Sequence, residues 1–217
     1  MIKTECFPVG QLLANCYFVR DEEAGTALLV DTGAPSKEME EAVDAFGGEK
    51  LQYILLTHGH FDHIGNTAAL KQKYPWVKVV ISEKDAAFTR RDDLNLSLFF
   101  DGTLPHFDAD ILVRDGDELP FGKGTIQVLS TPGHTAGGVC YRLEDCLFTG
   151  DTLMSCTTGR TDFPTGSPRQ MMESIKRIAA IPEDLTLYCG HGESSTLDYE
   201  RIHNFFMRDS DDDDLSE

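Results

Sequence analysis

The sequence predicts an α+β fold, with mixed sheets covered by helices. Two observations carry this expectation. β-type runs arrive in clusters, and helical patterns fall between and after those clusters. A purely alternating doubly wound fold would space strands and helices evenly. The chain has 217 residues, 41% hydrophobic and 26% charged, which suits one globular domain with a real core. Residues 1–208 are read as that single domain, and the Asp-rich run at 209–217 as a solvated, disordered acidic tail.

The elements follow in order. The N-terminus opens into an alternating stretch. Cys16 to Val19 and Ala27 to Val30 are short β-type runs, and Asp31-Thr32-Gly33-Ala34-Pro35 breaks the second. Ser36 caps a helix through Phe46, with Met39, Val43 and Phe46 on one face, and Gly47-Gly48 ends it. Leu51 to Leu56 is a buried strand. A helix from about Ile64 to Tyr74 follows, stopped by Pro75. Val77 to Ile81 is another strand. Residues 89–110 fit a helix, a strand, or a flap over a pocket, with no preference among them. Thr125 to Leu129, Val139 to Leu143 and Cys146 to Phe148 form a second sheet region. Ser167-Pro168 starts a helix carrying Met171, Met172, Ile175 and Ile178. Leu185 to Tyr188 is a late strand, and Leu197 to Met207 a last helix.

Charge and cysteine usage narrow the function classes. The formal net charge is −18, which repels phosphate backbones and anionic lipid. Neither nucleic acid nor membrane is an expected partner. No stretch of about 18 apolar residues exists to span a bilayer. Cys6, Cys16, Cys140, Cys146, Cys156 and Cys189 show no CxxC spacing and are read as reduced thiols. With no basic-then-apolar leader pattern at the N-terminus, a cytoplasmic location is expected.

The chemistry concentrates in Thr57-His58-Gly59-His60-Phe61-Asp62-His63-Ile64-Gly65. Four potential metal ligands fall within six residues, between a strand end and a helix start. His58 and His60 can face one way as alternate residues of an extended stretch, while Asp62 and His63 turn onto the helix. One motif could therefore serve two adjacent metals. His134, Asp151 and His191 each follow a strand and are flanked by glycine, so five histidines and two aspartates gather at four strand ends. Such ends are where α/β proteins build sites, and imidazole with carboxylate suits a divalent metal. His203 is read as a helix residue, and His106 as at most lining a pocket.

The order His58-x-His60-x-Asp62-His63, then His134, Asp151 and His191, resembles the metallo-β-lactamase superfamily. Asn15-Cys16-Tyr17-Phe18-Val19 and Leu29-Val30-Asp31-Thr32-Gly33 resemble that family's opening strands and first motif. The resemblance runs from about residue 1 to 203. It implies a four-layer αβ/βα sandwich with metals at one edge of the two sheets. It assigns His58, His60 and His134 to a first metal, and Asp62, His63 and His191 to a second, with Asp151 bridging. Two divalent ions are implied, zinc foremost, with iron or manganese as alternatives. Asp31 would orient the histidine loop, a role compatible with an Asx turn before Gly33.

Within the superfamily, Thr158-Gly159-Arg160-Thr161-Asp162-Phe163-Pro164 resembles a segment of short glyoxalase II-like hydrolases and of the related persulfide dioxygenases. The implied reaction is hydrolysis of a hydroxyacylglutathione-like thioester by a metal-bridging hydroxide, with Asp62 orienting the nucleophile. A mononuclear-iron persulfide dioxygenase using His58, His134 and Asp151 is the alternative, as is a hydrolase of another ester or lactone. β-Lactamase activity is set aside, because secreted class B enzymes lack a bridging aspartate in this arrangement. Only 26 residues follow His191, so the chain reads as a short form lacking the C-terminal helical domain of longer glyoxalases. Arg160 is the candidate contact to a substrate carboxylate, and an internal pair with Asp162 is its competing reading.

Overall fold

The computed structural model describes residues 1–100 and 102–208. The tail expected at 209–217 lies outside them. The first sheet is built from β1 (Ile2–Val9), β2 (Ala14–Asp21), β3 (Thr26–Val30), β4 (Leu51–Leu55), β5 (Lys78–Ser82) and β6 (Ile111–Val113), in that spatial order. β1 to β3 pair antiparallel and β3 to β6 parallel, so the sheet is mixed. The second sheet contains β7 (Glu118–Phe121), β8 (Gly124–Ser130), β9 (Val139–Leu143), β10 (Cys146–Gly150), β13 (Thr186–Cys189) and β14 (Ser195–Thr196). Its order is β14-β13-β10-β9-β8-β7, and only β10 and β13 pair parallel. β11 (Leu153–Met154) and β12 (Thr157–Thr158) form a small separate ribbon.

Strand periodicity sorts the apolar residues into layers. Tyr17, Val19, Leu28, Val30 and Leu55 point into one cluster with Ile126, Val128, Val139, Tyr141 and Phe148 from the second sheet. Their alternate neighbours Phe18, Leu29 and Ile54 point the other way, onto helices α1 (Lys37–Phe46) and α3 (Thr67–Lys73), through Met39, Val43 and Leu70. Cys140, Leu147 and Leu187 do the same on the far side, against Met171, Ile175 and Ile178 of α5 (Pro168–Ala179). Helices, sheet, sheet, helices: the four-layer expectation holds, and both sheets are buried on two faces.

Local sequence explains the helix boundaries. Ser36 caps α1 by accepting the Met39 amide, and Ser167 caps α5 by accepting that of Gln170. The helix expected over Ile64–Tyr74 is instead two: α2 (Phe61–Ile64) and α3. The break serves the loop after β3, where the Thr32 amide donates to the His63 carbonyl and the Asn66 amide to the Thr32 carbonyl, both at 2.7 Å. A Cβ on Gly65 would lie 2.3 Å from the Gly33 carbonyl oxygen, so only glycine lets the two chains meet. The last helix also divides, into α6 (Leu197–His203) and α7 (Phe205–Arg208), because the side chain of Asn204 bonds back to Glu200 and forward to the Phe206 amide.

The N-terminal alternation is a full strand, β1, and short strands β6, β7, β11, β12 and β14 carry too few residues for a period to show. The described residues of 89–110 divide between core and surface. Leu96 and Phe107 are buried, while α4 (Ser97–Phe100) projects Leu98, Phe99 and Phe100 from the surface beside the sheet edge. Among the described residues, no helix is long and apolar enough to cross a membrane.

Candidate metal centre

Four strands of the two sheets end at one edge, and the loops leaving them bring the donors together. β4 runs into His58 and His60, with His60 capping α2, which carries Asp62 and His63. The loop after β8 carries His134, the turn after β10 carries Asp151, and the turn after β13 carries His191. All seven donors that the sequence singled out meet here. His58, His60 and His134 form one group, Asp62, His63 and His191 a second, and Asp151 approaches His63 from the side of His58.

Distances within the second group decide what it can hold. His63 Nε2 and His191 Nε2 are 3.3 Å apart, and Asp62 Oδ2 lies 3.3 Å from His191 Nε2 and 3.6 Å from His63 Nε2. A metal bonded at about 2.0–2.1 Å in tetrahedral geometry spaces its donors by about 3.3–3.4 Å. Asp151 straddles both groups: Oδ1 is 3.4 Å from His63 Nε2, and Oδ2 is 3.5 Å from His134 Nε2 and 3.6 Å from His191 Nε2. In the first group, His60 Nδ1 faces His134 Nε2 at 2.8 Å.

Four of the five rings have their outward Nδ1 engaged, which aims Nε2 inward; His60 instead turns Nδ1 inward, and its Nε2 is buried without a hydrogen-bond partner. Thr57 Oγ1 donates to Asp31 Oδ2 and accepts from His58 Nδ1 at 3.1 Å. His63 Nδ1 donates to Asp31 Oδ2 at 2.8 Å, His134 Nδ1 to the Arg160 carbonyl at 2.7 Å, and His191 Nδ1 to the Leu12 carbonyl at 3.1 Å. With Nδ1 carrying the proton in these four rings, each presents an Nε2 lone pair. His58 Nε2 and Asp151 Oδ1 are buried with no hydrogen-bond partner. Buried polar atoms are rarely left so unless something else meets them. The donor set therefore fits divalent metal.

Electrostatics divides the centre in two. Burial, reinforced by the neighbouring histidines, pushes the His58 pKa well below its ordinary value and that of His60 down to about 3. These are neutral imidazole donors. Burial also opposes charge on His63, yet Asp62, Asp151 and Asp31 outweigh it and raise its pKa to about 10. Burial opposes charge on Asp62 too, but His63 and His191 hold it below the usual carboxylate range. The second group is thus the acid-rich side, where the charged His63 balances the carboxylates and a divalent ion at Nε2 would take the place of its second proton.

Asp31 sits where expected. It takes a left-handed conformation at φ 56° just past β3, and its Oδ1 accepts the Thr57 amide at 2.8 Å. Arg160 lies on the wall of the cleft above the donors, a space of about 340 Å³. Its guanidinium is engaged bidentately by Asp162 at 2.6 and 2.7 Å and rests 4.0 Å from the Phe163 ring centroid. The internal pair forms, and it is the backbone carbonyl of Arg160 that touches the centre, through His134.

Sequence reasoning missed three supports. Asp85, in the turn after β5, is wholly buried. It accepts the Gly59 amide at 3.0 Å, the Thr135 hydroxyl at 2.7 Å and the Gly137 amide at 2.8 Å. Burial raises its pKa despite those three donors. Asn15 and Tyr17 of β2 fix the His191 turn. Asn15 Nδ2 donates to the carbonyls of Cys189 and Gly192 at 3.0 and 2.9 Å, and the Tyr17 hydroxyl donates to that of Cys189 at 2.6 Å. Only the Asn15-Cys16-Tyr17 pattern carried a signal for them.

Residues 9–191 match the family model of the metallo-beta-lactamase superfamily. The chain belongs to that superfamily. Members are mostly metal-dependent hydrolases built on this sandwich. The chain is 34% identical to an uncharacterised protein of Aquifex aeolicus over 202 residues, covering 92% of this chain and 94% of that one. It is 35% identical to the hydroxyacylglutathione hydrolase of Brucella ovis over 175 residues, covering 80% of this chain but only 60% of that enzyme. Among solved structures, BLEG-1 B3 metallo-beta-lactamase superposes with a TM-score of 0.83 at 31% identity, covering 95% of this chain and 99% of that one. TTHA1623, solved in a di-iron-bound form, gives 0.81 at 28% identity, covering 93% and 99%. A superfamily member with these donors is a metal-binding protein, and the identity of the metal is a separate question.

Proposed function

We propose that the chain is a metal-dependent thioester hydrolase of the hydroxyacylglutathione type, with His58, His60 and His134 on one ion and Asp62, His63 and His191 on another. The observation that carries this reading is the second donor group. Its near-tetrahedral spacing, with Asp151 reaching both groups, favours two ions over one. Divalent ions there, zinc by preference, would lower the pKa of a water toward neutrality and polarise the scissile carbonyl.

The chain's own residues do the rest. Asp62, which lines the cleft, orients the attacking water. Met154, Leu96 and Phe163 line the same cleft and keep bulk water from the reacting carbon. The thioester's thiolate leaves without a general acid. The substrate is a small molecule, and six unpaired thiols suit a reducing cytoplasm.

The test is hydrolysis of S-D-lactoylglutathione by metal-loaded protein, with a chelator control. Turnover that vanishes with chelator and returns with metal is the expected result. A second reading, a mononuclear-iron persulfide dioxygenase using His58, His134 and Asp151, is supported by the likeness to ETHE1 from Myxococcus xanthus, with a TM-score of 0.76 at 26% identity, covering 99% of this chain and 92% of that one. Oxygen uptake with glutathione persulfide, and no thioester turnover, would establish it instead. Hydrolysis confined to lactones, other esters or a β-lactam would move the substrate class.

A further inference from the structure

A second, small lobe opens beside the metal cleft, a space of about 40 Å³. Val9, Leu12, Ala34, Phe61 and Phe100 supply its apolar lining. It is not separate from the centre. Leu12, Phe61, Asp62 and Phe100 line both the lobe and the cleft. Asp62, a member of the second donor group, is therefore the point where the lobe meets the chemistry.

Two elements build this lobe. The turn between β1 and β2 brings Leu12, whose carbonyl also holds His191. α4 brings Phe100, whose ring stacks on Phe61 at 4.9 Å with an interplanar angle of 18°. Both apolar side chains remain substantially exposed, Leu12 at 46% and Phe100 at 55%. Exposed apolar side chains converging at a cleft mouth mark a surface that gains by being covered. No Lys, Arg or His lines the lobe among the described residues, and its one charged lining residue is the acid Asp62.

We propose that this lobe receives the acyl chain of the substrate, and that the chain is apolar and uncharged. The inference rests on the thioester hydrolase reading and names its acyl class. With the carbonyl carbon over the second donor group, the lobe is the adjoining space at Asp62, and a short aliphatic acyl group fills it. An acyl group ending in a carboxylate would bury that distal charge among Val9, Leu12, Ala34 and Phe100, with no Lys, Arg or His of the lobe to pair it.

The experiment holds the thiol constant and varies the acyl group: S-acetyl-, S-butyryl-, S-hexanoyl- and S-succinylglutathione with the metal-loaded protein. From acetyl to butyryl, kcat/KM is expected to rise by roughly threefold to fourfold per methylene, and hexanoyl, longer than the lobe, is expected to gain nothing more. Butyryl is expected to exceed succinyl, of like length, by at least about tenfold. Phe100→Asp should abolish the rise with chain length, and Ala34→Leu should shorten the preferred chain. Turnover that is flat across the series, or that favours succinyl, overturns the acyl assignment while leaving thioester hydrolysis standing. No turnover of any of them by metal-loaded protein overturns both.

Discussion

Asp85 Oδ2 accepts the hydroxyl of Thr135 at 2.7 Å, and through it the loop bearing His134 is fastened to the loop bearing His58 and His60. The same oxygen takes the Gly59 amide at 3.0 Å, between the two histidines. One buried carboxylate thus sets the spacing of the first donor group without touching it. Asp85→Ala is expected to weaken metal binding by roughly 10–100-fold, the usual cost of losing a residue that orients ligands. Asp85→Asn should fall in the same direction, because all three neighbours are donors and an amide NH2 must oppose one of them. Metal content after dialysis against a graded chelator series checks both. Wild-type retention of metal in Asp85→Ala would remove the role.

Loss of a donor should be more severe. His60→Ala and Asp151→Ala are each expected to lower bound metal and activity together, beyond the 10–100-fold range roughly typical of outer partners. Metal analysis beside turnover reads this directly, and unchanged stoichiometry in both variants would break the assignment.

Gly190 tests the bridging position by sterics alone. A Cβ there would lie 2.1 Å from Asp151 Oδ1 and 2.9 Å from the His63 ring. Gly190→Ala should displace the carboxylate that straddles the two donor groups and so reduce metal stoichiometry while every donor remains in place. A full metal complement in that variant would contradict it.

Arg160→Ala is expected to raise KM by about twofold to fivefold with kcat little changed, since an exposed cation that contacts substrate supplies ground-state binding. Because Asp162 engages that guanidinium, Asp162→Asn should move KM for an acidic thiol substrate the opposite way. Steady-state kinetics on the two variants decides. Loss of kcat at constant KM would place Arg160 at the reacting atoms instead.

Alkali should unfold the protein early. Burial raises the thiol pKa of Cys16 to about 12, of Cys140 to about 11 and of Cys146 to about 12, from 9.0. Above pH 9 the unfolded chain releases these protons while the folded chain keeps them, so the stability they carry is complete below that pH. It is lost as pH climbs toward 11–12, by up to about 1.4 kcal/mol per pH unit for each thiol in the window. Thermal melts from pH 8 to 11 should show a steepening fall, and a flat profile would refute it. At pH 8, a thiol reagent should modify exposed Cys6 and Cys156 before the buried set.

The donors were legible in the sequence for a physical reason. All seven lie on the segments that leave four buried strands, and His58, His60, His134, Asp151 and His191 each stand beside a glycine, so strand pattern and residue type point to the same place. The four layers were legible in part, since Tyr17-Phe18-Val19 is apolar throughout and only the fold shows which residue faces which layer. Asp85 was illegible because its partners are two backbone amides and a hydroxyl far along the chain. The break at Gly65 was illegible because the pressure on it comes from Gly33, which no helical period records.

The bonds from Asn15 to Cys189 and Gly192 join positions 174 and 177 residues apart in the chain. During synthesis, β1 and β2 emerge well over a hundred residues before the turn that they hold. The histidine-rich loop is made long before His191, so a growing chain possesses half of its donors and none of the closure. Assembly of the acid-rich half is ordered by topology: it follows completion of β13 and cannot precede it. A chain stalled before residue 191 therefore lacks a member of the acid-rich donor group, whatever the state of the loop that carries the other two.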